Sequence, residues 1–189
     1  RKKGIKRTIQ YRPDGNDFVC VNGKNRYTRA LYGGITDFRI ETSDRPVFAT
    51  YKPKDSKHIC FRLQCGNQSI ALDSLKFCEA RYRAGRRTYR LTDPLLGKGE
   101  LNISVLAFPD AEGGIWRFTM KDMPEGALLH CYISEIRAKN LSRNGDMGAD
   151  RADSFDAPQL PKEQKHYKLS LDGTTAYIVV EDQELRLPA

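Results

Sequence analysis

The sequence predicts an all-β fold, an antiparallel β-sandwich of the supersandwich kind with little or no helix. Three observations point there. Short apolar-alternating runs recur along the chain, turn signals separate them every 8–12 residues or so, and no stretch offers an amphipathic helix of ten residues or more. A closed barrel is the less favoured alternative.

Taken in order, Thr8-Ile9-Gln10-Tyr11 leads into the turn Pro13-Asp14-Gly15-Asn16. Phe18-Val19-Cys20-Val21 then meets Asn22-Gly23, a hairpin dipeptide because both residues tolerate positive φ. Further breaks fall at Gly33-Gly34, Gly66-Asn67, Gly85, Gly97-Lys98-Gly99, Gly113-Gly114, Pro124-Glu125-Gly126 and Asp172-Gly173. Between them strands are expected over 26–32, 35–41, 46–51, 58–64, 68–72, 75–83, 87–92, 100–108, 115–120, 127–138, 166–171 and 174–180. One segment breaks this rhythm. Residues 140–165 are polar, with Gly145, Gly148, Pro158, Pro161 and aspartates at 146, 150, 153 and 156. A connection that long in a compact domain tends to be functional or disordered. No repeat or linker divides the chain, so residues 1–189 are expected to form one domain with a basic tail at 1–6.

A chain of 189 residues is long enough to bury a full core without disulfide or metal staples. Its 10% aromatic content excludes a disordered chain. The longest apolar runs, such as 176–180, are far too short for a membrane-spanning helix. The formal charge of +8 is uneven: residues 1–90 hold 21 basic and 8 acidic side chains, the remainder 11 and 16. The start, Arg1-Lys2-Lys3-Gly4-Ile5-Lys6-Arg7, lacks the apolar stretch of a signal peptide. The five cysteines, 20, 60, 65, 78 and 131, have no metal-type spacing. Cys60 and Cys65 should point to opposite faces of one strand, and Cys78 shares a core-facing row with Ala80 and Tyr82. Buried free thiols are the simplest reading, with one disulfide left open.

Few constellations could carry chemistry. The loop aspartates are four, three and three residues apart, which does not match a calcium loop. Asp110 and Glu112 flank an expected turn, and spacing alone does not make them a glycosidase pair. His130 and Cys131 are strand neighbours facing opposite ways, so they cannot act as a nucleophile–base pair. His58 and His166 have no spaced metal partners, and there is no GxSxG or phosphate-cradling loop. Arg81, Arg83, Arg86, Arg87 and Arg90 flank an Ala84-Gly85 turn and are read as a stripe on a solvent face, with the tyrosines inward. Arginine stripes grip phosphates, but inward tyrosines cannot stack on bases, so nucleic acid is disfavoured. Trp116 alternates with Phe118 and Met120, which makes it a core residue rather than a sugar platform.

Three stretches carry a resemblance: Asn22 to Gly33 (NGKNRYTRALYG), Thr92 to Gly99 (TDPLLGKG) with the strand that follows to Trp116, and Asn144 to Asp150 (NGDMGAD) through Phe155. In this order they resemble an uncharacterised domain family at the N-terminus of large secreted proteins from polysaccharide-degrading gut bacteria. There the domain precedes a helical toroid of the six-hairpin glycosidase type. The resemblance covers nearly the whole chain and implies a β-sandwich module without catalytic residues or cofactor of its own. It implies export to the periplasm or cell surface and two partners: a C-terminal helical toroid and complex polysaccharide. The expected interface or carbohydrate-side residues are Arg26, Arg29, Tyr32, Asp146, Asp150, Asp153 and Phe155. A stand-alone carbohydrate-binding module is the first alternative and a basic nucleic-acid-binding domain the second.

Overall fold

The computed structural model describes residues 10–35, 37–52, 55–136, 150–151 and 164–188. Among these residues sixteen strands run in chain order: β1 Arg12–Asp14, β2 Asp17–Val21, β3 Arg26–Tyr32, β4 Arg39–Ser43, β5 Phe48–Tyr51, β6 Ser56–Cys65, β7 Gln68–Ala71, β8 Phe77–Arg83, β9 Arg86–Thr92, β10 Glu100–Ala107, β11 Gly113–Lys121, β12 Leu128–Ile136, β13 Asp150–Arg151, β14 Gln164–Ser170, β15 Thr175–Glu181 and β16 Glu184–Arg186. The only helical elements among the described residues are two 3-10 turns, Leu72–Ser74 and Pro94–Leu96. The first sheet has the order β1-β2-β8-β9-β10-β11-β15-β16, the second β13-β3-β4-β5-β6-β12-β14, with β7 also pairing β6. All strand pairs are antiparallel. The expected antiparallel sandwich is therefore the fold of this chain. No helix among the described residues is long and apolar enough to cross a membrane.

Alternation explains the packing. On β11, Trp116, Phe118 and Met120 point inward and are buried, while Arg117, between Trp116 and Phe118, points out and is exposed. The core centres on Phe48, whose ring meets those of Phe61, Tyr89 and Trp116 edge-on at 5.6–5.9 Å. Cys78, Ala80 and Cys131 are buried in the same core, and Tyr82 packs against it. Cys60 lies on the outer side of β6 and Cys65 on the core side, and all five cysteines are free.

Four local expectations are corrected. Asn22-Gly23 is not a hairpin: the chain leaves the first sheet there and enters the second, since β2 pairs β8 and β3 pairs β4. Asn22 does adopt positive φ, but it uses this to bind β8, its N–H donating to Cys78 O while its Oδ1 accepts from Cys78 N–H. A Cβ on Gly23 would lie within 2.8 Å of Cys20 Sγ and Asp44 Cβ, so glycine is required for close approach. Gly113-Gly114 is not a break but the buried start of β11, where a Cβ would strike Val180 O or Ile40 Cδ1. Strand β4 begins four residues later than expected and includes the polar run Glu41-Thr42-Ser43, all buried. Finally, β16 was not foreseen. Its hairpin turns on Asp182-Gln183, both at positive φ, and Gln183 is held by Thr50 Oγ1 and the carbonyl of Asp55.

Candidate functional site

The outer face of the second sheet brings together all three histidines of the chain and the rings of Tyr32, Tyr51 and Tyr132. Cross-strand register places Tyr32, Arg39 and Tyr51 in one row and Ala30, Glu41 and Ala49 in the next. Their neighbours in sequence, Leu31, Ile40 and Phe48, fill the core, so these side chains face away from it. Tyr32 is 55% exposed. The Arg39 guanidinium lies 3.9 Å above the Tyr51 ring and pairs with the buried carboxylate of Glu41.

A second cluster sits on β6, β12 and β14 of the same face. Tyr132 stacks on His166 at 4.5 Å, and His166 stacks in turn on His130 at 5.1 Å. His130 Nε2 is 2.7 Å from Gln64 Oε1, and its Nδ1 is 2.8 Å from His166 Nε2. A carbonyl oxygen can only accept, so His130 Nε2 carries the proton and Nδ1 accepts from His166 Nε2–H. Burial, followed by the nearby His166, Lys168 and Arg62, pushes the His130 pKa down and favours this neutral tautomer. His58 lies between Ala49 and Ser134 on the same face, and burial pushes it down to about 4. Cys60 is pushed up to about 11, chiefly by burial and then by Asp73, which leaves it a poor nucleophile at neutral pH.

The sequence-predicted residues divide. Tyr32 joins this outer face. Arg29 does not: a register shift between Tyr27 and Arg29 turns it toward the space between the sheets, 5.1 Å from the Tyr11 ring and 5.2 Å from that of Tyr82. Arg26 is half-buried, and its carbonyl accepts from Asp44 N–H. Asp150 belongs to β13, which pairs with Arg26 and Tyr27 of β3 at the edge of the sheet. Asp146, Asp153 and Phe155 lie outside the described residues.

The arginine stripe is also corrected. Arg81, Arg83, Arg86 and Arg90 do face outward, but Arg87 is on the core side of β9 and is fully buried. It donates to the Ser43 carbonyl at 2.8 Å and to the Tyr11 and Tyr89 hydroxyls, and lies 3.6 Å from the buried Asp44 carboxylate. Asp44 Oδ1 also accepts from Tyr11 and from Thr28 Oγ1. The tyrosines pay part of the solvation that burial removes, and Tyr89 is pushed up to about 12 by that burial. The period-2 pattern puts Arg87 on the same side of β9 as Tyr89 and Leu91, which is the core side. Nothing in the sequence pattern marks the Tyr132–His166–His130 stack, because its members come from two strands separated by the long polar segment.

Among the described residues, no three His, Cys, Asp or Glu side chains come together as a metal site. A search of curated proteins returned no match. One family model covers residues 53–178, from just before β6 into β15, and takes in both the His130 cluster and β13. That stretch is most of the chain, and the chain belongs to the family it defines, the domain of unknown function DUF4450.

Proposed function

We propose that this chain is a non-catalytic N-terminal β-sandwich module of an exported glycoside-hydrolase-like protein, which packs against a helical toroid and shapes its cleft for complex polysaccharide. The observation that carries this reading is the outer face of the second sheet. Tyr32 is exposed at one side of it beside the largely buried Arg39–Tyr51 pair, and the Gln64–His130–His166–Tyr132 array lies at the other. Broad faces rich in aromatic and arginine side chains suit docking against a second surface. The three sequence stretches that resemble domains found ahead of six-hairpin toroids in polysaccharide-degrading gut bacteria also support this reading.

Co-expressing this chain and the helical domain of its parent protein as separate polypeptides tests the proposal. The two should co-elute in size exclusion, and Tyr32→Ala with Arg39→Ala should weaken the association about tenfold or more, as loss of interface anchors does. Independent elution of the two polypeptides at micromolar concentration would refute it.

A further inference from the structure

The outer face of the first sheet carries a second, chemically different surface. Two adjacent cross-strand rows run over it. One reads Arg83, Arg86, Leu106, Ile115, Val179, Arg186, and the other Arg81, Thr88, Ser104, Arg117, Tyr177. From β8 to β16 the rows hold five arginines and not one carboxylate. Arg81 and Arg83 are engaged by Asp14, Asp17 and Glu79 on the neighbouring strands. Arg86, Arg117 and Arg186 are exposed and form no ion pair among the described residues. They stand on β9, β11 and β16, two strand spacings or about 10 Å apart across the sheet each time, with Arg117 set two residues out of line along the strands. Between them Leu106 is 42% and Tyr177 39% exposed, with half-buried Ile115 and Val179 completing an apolar strip across the central strands.

We infer that this face binds a linear, carboxylate-bearing polysaccharide lying across the strands. The planar guanidinium forks of Arg86, Arg117 and Arg186 match carboxylates bidentately. The Thr88 and Ser104 hydroxyls between them can bond sugar hydroxyls. The aliphatic strip and the Tyr177 ring offer apolar surface to the C–H faces of pyranose rings. A nucleic-acid strand fits less well. Only one exposed ring of these two rows, that of Tyr177, is available to stack on bases. The inference rests on the module reading for its carbohydrate context, but it concerns the face opposite the one assigned to the helical partner, so the two fail separately.

Affinity electrophoresis of the chain in gels containing polygalacturonate tests it, with a neutral β-glucan gel and single-stranded DNA as comparisons. Polygalacturonate alone should retard the chain. The pair Arg86→Ser and Arg117→Ser should lower affinity at least tenfold, since hydrogen bonds to charged groups are lost. Tyr177→Ala should lower it less, and Arg62→Ser with Lys168→Ser on the other sheet should leave it unchanged. All these positions are on the surface, and unchanged circular dichroism would show that each variant folds. Four results would overturn the inference: no retardation by polygalacturonate, equal retardation by neutral glucan, equal binding of DNA, or self-association abolished by the arginine variants, which would make a second copy the occupant.

Discussion

The two faces of the β8–β9 hairpin use the same residue type to opposite ends. Outward, Arg81, Arg83 and Arg90 meet Asp14, Asp17, Glu79 and Glu100 in water. Inward, Arg87 is sealed between the sheets, with its contacts to Ser43, Tyr11, Tyr89 and Asp44 fixed by β4, β9 and the residues just before β1. Water screens the first set and can replace any member of it, whereas nothing can replace a partner of Arg87. The cost of losing a charge therefore depends on where the charge sits, not on how many pairs it forms.

The sharpest way to break this comparison is Arg87→Leu. It leaves Asp44 buried without its cation and should cost about 3–5 kcal/mol in urea unfolding. Adding Asp44→Leu should recover part of the loss, and full additivity of the two changes would show that the pair is not coupled.

Protonation of His58 should come next in size. Its folded pKa of about 4 lies below the ordinary value, so the unfolded chain binds more protons than the folded one between pH 6.5 and 4. Stability should fall as pH drops through that window, by up to roughly 3 kcal/mol from this residue. His58→Gln should flatten the slope of unfolding free energy against pH there, and an unchanged slope would assign the effect to other groups.

Arg81→Ala should have the smallest effect, below about 1 kcal/mol and shrinking further with added salt. A loss comparable with that of Arg87→Leu would mean the outward network is not solvent-screened.

The strands were largely legible in the sequence because alternation and turn residues are local signals. Residues 26–32 and 100–108 were expected as strands, and the structure has Arg26–Tyr32 and Glu100–Ala107. What was hidden depends on tertiary partners. Thr42-Ser43 reads as loop until the Arg29 carbonyl and Asn25 supply bonds for it inside the sheet. Asn22-Gly23 reads as a hairpin because local chemistry cannot say which sheet the next strand joins. Of the candidate site, Tyr32 is named by the resemblance alone, and the structure places it exposed on the outer face. The Tyr132–His166–His130 stack was not legible, since register between β12 and β14 is set by the whole sheet.

That register has a consequence for how members of the family can differ. Strands β12 and β14 are direct antiparallel neighbours from Leu128–Ser170 to Ser134–Gln164, the relation that a tight turn normally makes. Everything numbered 137–163, including the residues that form β13, is inserted between two strands that already pair. Closure entropy grows only as the logarithm of length, by about 0.6 kcal/mol per doubling. The sandwich can thus accept this stretch at very different lengths while its core stays the same, which makes it the natural place for length polymorphism among homologous domains.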